Sequence, residues 1–496
     1  MHSHILAIDQ GTTGTTALLV DQKLSIVGKA TIEFPQIYPQ PGWVEHNLND
    51  IWDSTLKAIH HVFEISSIEP SQIAAIGITN QRETTCLWNK KTGAPYGNAI
   101  VWQCRRTAPL CETLKKEGKE DLFRKKTGLL LDPYFSGTKI KWLLDKHPVL
   151  HQKIQQNLVA FGTMDSFLVS KLSNLALHVT DPSNASRTLF MNLETLTWDE
   201  ELLDILKIPK EILPVIRSSS EIYGKTKNVP GLPDGIPIAG IAGDQQAALF
   251  GQACFEEGHA KCTYGTGSFL LVNTGNKIIS SKNNLISTVA WKIRDQATYA
   301  LEGSAFIAGA AVQWFRDGLK LIQKSADIEA LAQSVPSTDG VVFVPALTGL
   351  GAPHWRADAR GLFCGITRGT TNAHLARAVL EGIAFQNYEL VQAMQKDMNR
   401  EISLLKVDGG ASKNNLLMQF QSNLLNRIII RSKIIETTAF GAACLAGLGI
   451  GLWKNLGDLQ HAWQKDRAFT PRMSNEEKAA HLQKWEVAIR KCLAGC

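Results

Sequence analysis

The sequence predicts an α/β protein made of two related halves, with a site between them. The chain has 496 residues, which is longer than one hydrophobic core usually supports. Short apolar runs that end in polar turns alternate with helical stretches, as buried strands and helices do. A turn rich in glycine and threonine lies beside apolar strands in each half, at residues 9–16 and 264–269. We therefore expect two large domains and a cleft between them, where ligands commonly bind.

The first predicted elements are three strands near the N-terminus. Apolar runs at residues 5–8 and 17–20 each end at an aspartate, and a third short run lies at Ile26 and Val27. The loop DQGTTGTT joins the first two runs, so it connects strand to strand as a hairpin does. A Walker loop or a dinucleotide-binding loop would join a strand to a helix, and neither pattern occurs.

Later elements follow from the same periodicities. We predict a helical stretch within residues 43–61, a strand at 73–79 that runs into NQRETT, and a long amphipathic helix at 374–394. The segment GIAGDQQAALFGQ at 240–252 is typical of a strand, an acidic loop and a helix. A Pro/Gly-rich stretch precedes it, and we place the domain boundary near Gly251. The expected division is an N-terminal domain of residues 1–251 and a C-terminal domain of residues 252–496.

Composition narrows the class of protein. Hydrophobic residues at 44% and charged residues at 20% are typical of a soluble globular chain. The net charge is +6 without long basic runs, so nucleic acid is not an expected partner. Nine cysteines without a CxxC pair, and an N-terminus without a signal-like segment, predict a cytoplasmic protein with reduced thiols. The most apolar stretch, residues 439–453, is too short to cross a bilayer and is predicted to be a buried helix.

The glycine-rich hairpin is a candidate phosphate site. In DQGTTGTT the small residues let backbone amides approach phosphate oxygens, and Thr12 and Thr13 add hydroxyl donors. Asp9 can hold a hydrated Mg²⁺ ion. Taken alone, this loop is equally an ordinary tight hairpin.

Two further turns could close on a nucleotide from the other half. YGTGSF supplies Thr266 between two glycines, and VDGGASKNN at 407–415 supplies Gly409 and Gly410, which permit close approach of a flat ring or a ribose. Asn414 lies just beyond. Each is singly an ordinary turn, but three such turns in one chain favour nucleotide binding.

Polar residues elsewhere are suited to a polyol. The candidates are Arg82 and Glu83 in NQRETT, Trp102 in VWQCRR, Tyr134 in DPYFSGT, and Asp244 and Gln245 in GDQQ. Trp102 and Phe269 could form an apolar wall against the carbons. Asp244 is the best candidate for a general base, because its small neighbours predict a strand end with little competing charge nearby. Two alternatives stay open: Arg82 and Glu83 as a surface ion pair, and Asp244 as a helix N-cap.

These blocks resemble the FGGY family of sugar and polyol kinases, which has a ribonuclease-H-like, actin-like ATPase fold. The resemblance runs through most of the chain in the family's order, and it includes IYPQPGWVEHN, TDPSNASRTLF and FVPALTGLGAPHW. NQRETT and WQCRRT together resemble the branch that phosphorylates glycerol rather than its pentose-kinase relatives. The resemblance implies two actin-like domains flanking a deep catalytic cleft, and the transfer of phosphate from ATP to glycerol to give sn-glycerol 3-phosphate.

The resemblance also implies residue roles. The implied glycerol-binding residues are Arg82, Glu83, Trp102, Tyr134, Asp244, Gln245 and Phe269. Asp244 would be the general base and, with Asp9, would hold Mg²⁺. The implied ATP- or ADP-binding residues are Thr12, Thr13, Gly14, Thr266, Gly309, Gln313, Gly410 and Asn414. We further expect a homo-oligomer, as a dimer or a tetramer.

Two departures from the family pattern and three alternatives accompany this expectation. Many members carry arginine where this chain has Thr16, in the phosphate hairpin. Residues 218–240 contain neither arginine nor histidine, so the feedback devices that use those residues are not expected. The alternatives are a kinase of a larger polyol or sugar, an actin-like nucleotidase that hydrolyses ATP without an acceptor, and a catalytically weak binding protein. The acidic candidates Asp9, Glu83 and Asp244 argue against the last.

Overall fold

The chain folds into two large β-sheets with helices packed on their faces. The structure is a computed structural model, and it describes residues 3–356 and 358–495. Its strands are β1 (His4–Gln10), β2 (Gly14–Asp21), β3 (Ile26–Glu33), β4 (Glu45–His46), β5 (Ile73–Asn80), β6 (Cys86–Asn89), β7 (Ala99–Ile100), β8 (Val159–Gly162), β9 (Val179–Thr180), β10 (Met191–Asn192), β11 (Thr197–Trp198), β12 (Val215–Ile216), β13 (Ser220–Lys225), β14 (Pro237–Gly243), β15 (His259–Tyr264), β16 (Ser268–Gly275), β17 (Ile286–Ile293), β18 (Gln296–Ala305), β19 (Val342–Val344), β20 (Leu362–Cys364), β21 (Leu404–Asp408), β22 (Ile429–Ser432) and β23 (Lys465–Phe469).

The helices cover the sheets and the connections between them. They are α1 (Leu48–Ser66), α2 (Ala108–Lys116), α3 (Glu120–Thr127), α4 (Ser136–Lys146), α5 (Val149–Gln155), α6 (Met164–Leu172), α7 (Pro182–Ala185), α8 (Glu200–Leu206), α9 (Asp244–Gly251), α10 (Gly309–Asp317), α11 (Asp327–Gln333), α12 (Asn372–Met398), α13 (Asn415–Leu425), α14 (Thr437–Gly449), α15 (Leu456–Ala462) and α16 (Asn475–Ala494). Short 3₁₀ turns lie at Pro70–Gln72, Lys210–Ile212 and Gly410–Lys413.

The two large sheets have the same plan. The first has the order β13-β14-β5-β1-β2-β3, in which β1, β2 and β3 form an antiparallel meander while β5 and β14 run parallel to β1. The second has the order β17-β18-β16-β15-β21-β22-β23, in which β15, β16 and β18 are adjacent antiparallel strands while β21 and β22 run parallel to β15. This repeat confirms the prediction of two related halves.

Both faces of the first sheet are buried, which explains its continuous apolar strands. In β1, Leu6 and Ile8 pack in the cluster that includes helix α1, whereas Ile5 and Ala7 pack against α14. Thus α14, a helix from the C-terminal half of the sequence, completes the core of the first sheet.

Helices α9 and α14 pack closely against each other. A Cβ atom added at Gly441 would lie 1.8 Å from the carbonyl oxygen of Ala247, and one at Gly251 would lie 2.1 Å from that of Thr437. Any larger residue would force the helices apart. Gly251 is the last residue of α9, and the domain boundary placed there stays a prediction.

Most predicted elements are present, with shifted ends. The predicted first helix begins only at Leu48, because Asn47 caps it by accepting a hydrogen bond from the amide of Asn49 at 2.9 Å. The apolar stretch 439–453 does contain a buried helix, α14. The predicted acidic loop is wrong, since β14 ends at Gly243 and α9 begins directly at Asp244. No helix within the described residues is both long and apolar enough to cross a membrane.

Candidate active site

The site lies where three neighbouring parallel strands of the first sheet end. In the register of β1, β5 and β14, Asp9 lies opposite Thr79, and Thr79 lies opposite Ala242. The loops that follow these strands therefore share one edge of the sheet, which is a common position for ligand sites. The phosphate hairpin, NQRETT and GDQQ, which are far apart in sequence, are brought together there.

Five charged side chains form an ion network around the predicted glycerol-binding residues, in a region that we call the substrate side. Arg82 donates Nη1 to Glu302 Oε2 at 2.5 Å and Nη2 to Glu302 Oε1 at 2.9 Å. Its Nε lies 3.1 Å from Asp244 Oδ1. Arg187 donates Nε to Glu83 Oε1 at 2.5 Å and Nη2 to Glu302 Oε1 at 3.2 Å. We call these five residues the charged network.

Burial decides between the alternatives left open for these residues. Arg82 and Glu83 are 2% and 1% exposed, so they are not a surface ion pair. The side chain of Asp244 keeps 30% exposure and faces the guanidinium of Arg82. The expectation of little competing charge near Asp244 is therefore wrong. Asp244 is also not the N-cap, because Gly243 holds that position in α9.

Burial and the two arginines have opposing effects on the pKa values of Glu302 and Glu83. Burial acts to raise the pKa of Glu302, but the guanidiniums of Arg187 and Arg82 outweigh it and hold that pKa at about 2. Burial raises the pKa of Glu83 even though the same two arginines oppose it. Glu83 also has a φ of 59°, a left-handed backbone that is costly for a side chain of this size. Its carbonyl oxygen accepts from the Ser136 hydroxyl at 2.9 Å, which helps hold this conformation.

An aromatic wall joins the substrate side to the phosphate hairpin. Trp102 and Tyr134 meet edge to face with ring centroids 5.5 Å apart, and the Arg187 guanidinium lies 5.4 Å from the Tyr134 ring centroid. The indole Nε1 of Trp102 donates to Thr12 Oγ1 at 2.9 Å. Burial raises the pKa of Tyr134, so its hydroxyl keeps its proton.

The second sheet closes the substrate side. Residues opposite one another on antiparallel strands share a face, and the register of β15, β16 and β18 places Phe269, Lys261 and Glu302 on one face. Glu302 reaches Arg82 from this face, and Lys261 Nζ donates to Gln245 Oε1. Phe269 thus lies on the face that meets the first sheet, as an apolar wall requires.

Three segments of the second half that contain predicted nucleotide-binding residues lie together, in a region that we call the nucleotide side. The Thr266 carbonyl accepts from the amides of Ala308 and Ala310 at 2.8 and 3.0 Å. A Cβ atom at Gly309 would lie 2.6 Å from the carbonyl oxygen of Gly265 and 3.9 Å from the Cβ of Ala411. The turn that holds Thr266, the start of α10 and the turn after β21 are therefore neighbours.

The remaining nucleotide candidates differ in exposure. Thr13 lies exposed at the hairpin tip, Gln313 lies exposed on α10, and a Cβ at Gly410 would meet no described atom within 4 Å. Gly14 is tighter, with its added Cβ 3.0 Å from the Ile32 carbonyl oxygen. Asn414 caps α13, since its Oδ1 accepts from the Leu417 amide at 2.9 Å. Nucleotide contact by these residues stays a prediction.

Asp9 is the penultimate residue of β1 and lies near other carboxylates. Burial, followed by the negative charges of Asp244 and Glu436, raises the pKa of Asp9 to about 8, and the positive charge of Lys29 opposes this rise. Within the described residues, no three His, Cys, Asp or Glu side chains are grouped to hold a metal by themselves. Facing carboxylates fit a hard divalent cation that takes its other ligands from phosphate and water.

Family models match both halves of the chain. The N-terminal domain of the FGGY family of carbohydrate kinases matches residues 4–251, and its C-terminal domain matches residues 260–450. The chain belongs to the FGGY family of carbohydrate kinases.

Relatives of this FGGY kinase match over its full length. A glycerol kinase from Myxococcus xanthus is 54% identical over 490 residues, which cover 98% of this chain and 99% of the relative. The crystal structure of Plasmodium falciparum glycerol kinase with ADP has a TM-score of 0.92 at 38% identity, covering 99% of this chain and 98% of that one. A gluconate kinase from Lactobacillus acidophilus has a TM-score of 0.87 at 26% identity, with the same coverage.

Three buried charged residues of this FGGY kinase were not singled out from sequence. Glu302 and Lys261 stand in the apolar strands YALEGSA and HAKCTY, where a charge needs a partner because burying it alone is costly. A charged residue within an apolar strand is therefore a sequence signal for a buried ionic or polar partner. Arg187 lies in TDPSNASRTLF, a block that carries the family resemblance but to which no role was assigned.

Proposed function

We propose that this protein transfers the γ-phosphoryl group of MgATP to a primary hydroxyl of glycerol, giving sn-glycerol 3-phosphate and ADP. The observation that carries the proposal is the state of Asp244. Its Oδ1 forms an ion pair with Arg82 Nε at 3.1 Å and accepts from the Gln245 amide at 2.7 Å. Its Oδ2 accepts no hydrogen bond from any described residue, so one carboxylate oxygen is fixed and the other is free to take a proton.

The free polar groups around Asp244 match a small polyol. Glu83 Oε2, the Tyr134 hydroxyl and Gln245 Nε2 also make no hydrogen bond within the described residues. Together with Asp244 Oδ2 they offer acceptors, a donor and a hydroxyl to a molecule whose three hydroxyls both donate and accept. The apolar faces of Trp102 and Phe269 suit its carbons.

The nucleotide would bind between the phosphate hairpin and the turns of the second sheet. Backbone amides and threonine hydroxyls at Thr12, Thr13 and Thr266 suit phosphate oxygens, and Gly309 and Gly410 let the nucleoside approach the backbone. Asp9 and Asp244 would hold magnesium, which supplies charge neutralisation on the phosphates when bound.

Asp244 would act as the general base. As the glycerol oxygen bonds to the γ-phosphorus and the bond to ADP breaks, Asp244 Oδ2 accepts the hydroxyl proton. Arg82 holds the other carboxylate oxygen, so the base does not rotate away. Closing of the cleft would exclude water, which otherwise competes with glycerol for the phosphoryl group.

The proposal includes a cytoplasmic location and a homo-oligomer. Eight described cysteines are free thiols, most of them buried, in keeping with a reducing compartment. Light scattering of the purified protein would determine whether it is a dimer or a tetramer.

A coupled ADP-release assay tests the function. The protein is supplied with MgATP and glycerol, xylulose, gluconate or no acceptor. We expect turnover that depends on glycerol and far slower release without an acceptor. Equal ADP release with and without glycerol would contradict the kinase and favour a nucleotidase, whereas faster turnover with xylulose or gluconate would reassign the substrate.

A further inference from the structure

A fully buried lysine of the second sheet contacts Gln245, a residue of the proposed glycerol site. Lys261 on β15 is 0% exposed. Its Nζ donates to Gln245 Oε1 and to Thr263 Oγ1, the latter at 3.0 Å. Within residues 3–356 and 358–495, no carboxylate lies at ion-pair distance from this ammonium. The amide oxygen of Gln245 is therefore one of its main partners.

We propose that Lys261 is a positioning residue that fixes which end of the Gln245 amide faces the acceptor, and this rests on the proposed function. An ammonium group can only donate hydrogen bonds, whereas a glutamine amide accepts at its oxygen and donates at its nitrogen. Contact with Lys261 therefore assigns the oxygen to the interior and Nε2 to the cleft. Nε2 makes no hydrogen bond within the described residues.

The orientation matters because the two carboxylates that face the acceptor, those of Asp244 and Glu83, can only accept hydrogen bonds. Asp244 Oδ2 and Glu83 Oε2 can each accept a hydroxyl proton from a polyol. The oxygen of a hydroxyl that donates a hydrogen bond to one of these carboxylates can still accept one. Gln245 Nε2 is placed to donate it. If the amide turned around, three acceptors would face the same polyol, and one hydrogen bond would be lost.

The neighbouring strand offers a matched control. Lys406 on β21 lies beside Lys261 in the parallel register and is 5% exposed. Its Nζ donates to the backbone carbonyl of Gln252 at 2.6 Å and lies 3.7 Å from the Trp463 ring centroid. It is a buried lysine on the same sheet that touches no residue of the proposed glycerol site.

The test compares Lys261→Met with Lys406→Met in steady-state kinetics and thermal unfolding. Loss of one oriented hydrogen bond predicts a glycerol KM about tenfold higher for Lys261→Met, with kcat and the MgATP KM changed less than about threefold. Lys406→Met should lower the unfolding midpoint similarly while leaving the glycerol KM unchanged. A folded Lys261→Met protein with the wild-type glycerol KM overturns the proposal, as does an equal KM increase in both variants.

A double-mutant cycle separates positioning from direct contact. If Lys261 acts through the amide, Lys261→Met should raise the glycerol KM no further in a Gln245→Ala background. The full increase in that background would overturn the proposal.

A second substitution covers the case in which Lys261→Met does not fold. Gln245→Glu puts a carboxylate beside Lys261, so it should fold, and it removes the donor that faces the acceptor. We expect a higher glycerol KM with an unfolding midpoint at least as high as wild type, and an unchanged glycerol KM would overturn the proposal. If the wild-type protein shows no glycerol-dependent ADP release, the proposed function itself is contradicted, and this result is distinguishable from any difference between the variants.

Discussion

The substrate side and the nucleotide side of the candidate site are held together by different interactions. On the substrate side, the charged network is buried and each member has at least one ionic partner. On the nucleotide side, Thr13, Thr266 and Gln313 are exposed, and the turns are held by backbone hydrogen bonds. Side-chain chemistry thus determines the substrate side, and backbone geometry determines the nucleotide side.

This difference follows from the ligands that each side is proposed to bind. Phosphate oxygens carry charge and accept from any backbone amide, so glycine-rich turns suffice. A small uncharged polyol offers only hydroxyls, and it needs donors and acceptors fixed before it arrives. The structure therefore predicts that single charge changes are costly on the substrate side and mild on the nucleotide side.

The largest effect is expected for Asp244→Asn, which removes the proposed base from the boundary between the two sides. Loss of a general base usually costs roughly 10² to 10⁴ in rate, so kcat should fall strongly. The affinity for ATP should be retained, because the turns proposed to bind the nucleotide are unchanged. Single-turnover rates and nucleotide titration measure the two quantities. A folded Asp244→Asn protein with near-normal kcat would make Glu83 the next base to test.

Glu302→Gln should destabilise the whole molecule. Removing one partner from a buried ion pair leaves two guanidiniums undercompensated and costs about 3 to 5 kcal/mol. The pKa of Glu302 falls from 4.5 to about 2, so its stabilisation is complete above pH 4.5 and is lost as the pH falls towards 2. The variant should have a lower unfolding midpoint at pH 7 and a weaker dependence on pH below 4.5. An exposed control, Glu69→Gln, should change neither, and a wild-type profile for Glu302→Gln would contradict the ionised network.

The same contrast explains what could be predicted from sequence. The hairpin strands β1 and β2 follow from apolar runs around a glycine-rich turn, which is local information. The pairing of Arg82 with Glu302 spans 220 residues and depends on how the two sheets meet. Local pattern placed Asp244 near a strand end, but it could not place a guanidinium 3.1 Å away.

Glu83→Gln should have a smaller effect than Asp244→Asn, and on a different parameter. The carboxylate is proposed to orient glycerol rather than to take its proton. Losing a hydrogen bond to a charged group costs about 1.5 to 3 kcal/mol, which should appear mainly as a higher glycerol KM. Initial rates over a range of glycerol concentrations measure it. If kcat falls as far as in Asp244→Asn while KM stays constant, the two roles are assigned the wrong way round.

Thr16→Arg should have the smallest effect. Thr16 is half-buried on β2, opposite Asp9 in the register, and its hydroxyl meets that of Thr31 at 2.9 Å. A cation added there would act mainly on phosphate groups bound at the hairpin. A partly exposed charge contributes about 1 kcal/mol or less to such binding. The affinity for nucleotide or phosphorylated product should change, as measured by product inhibition. A change confined to the glycerol KM would contradict the assignment of this hairpin to phosphate.

Calorimetric titration of glycerol into nucleotide-free protein tests the central claim most directly, because it isolates the substrate side. Wild type and Thr16→Arg should bind glycerol with the same affinity, and Glu83→Gln should bind it about tenfold or more weakly, the scale of one charged hydrogen bond. Equal glycerol affinity for wild type and Glu83→Gln would contradict the claim that the buried charged network forms the glycerol site.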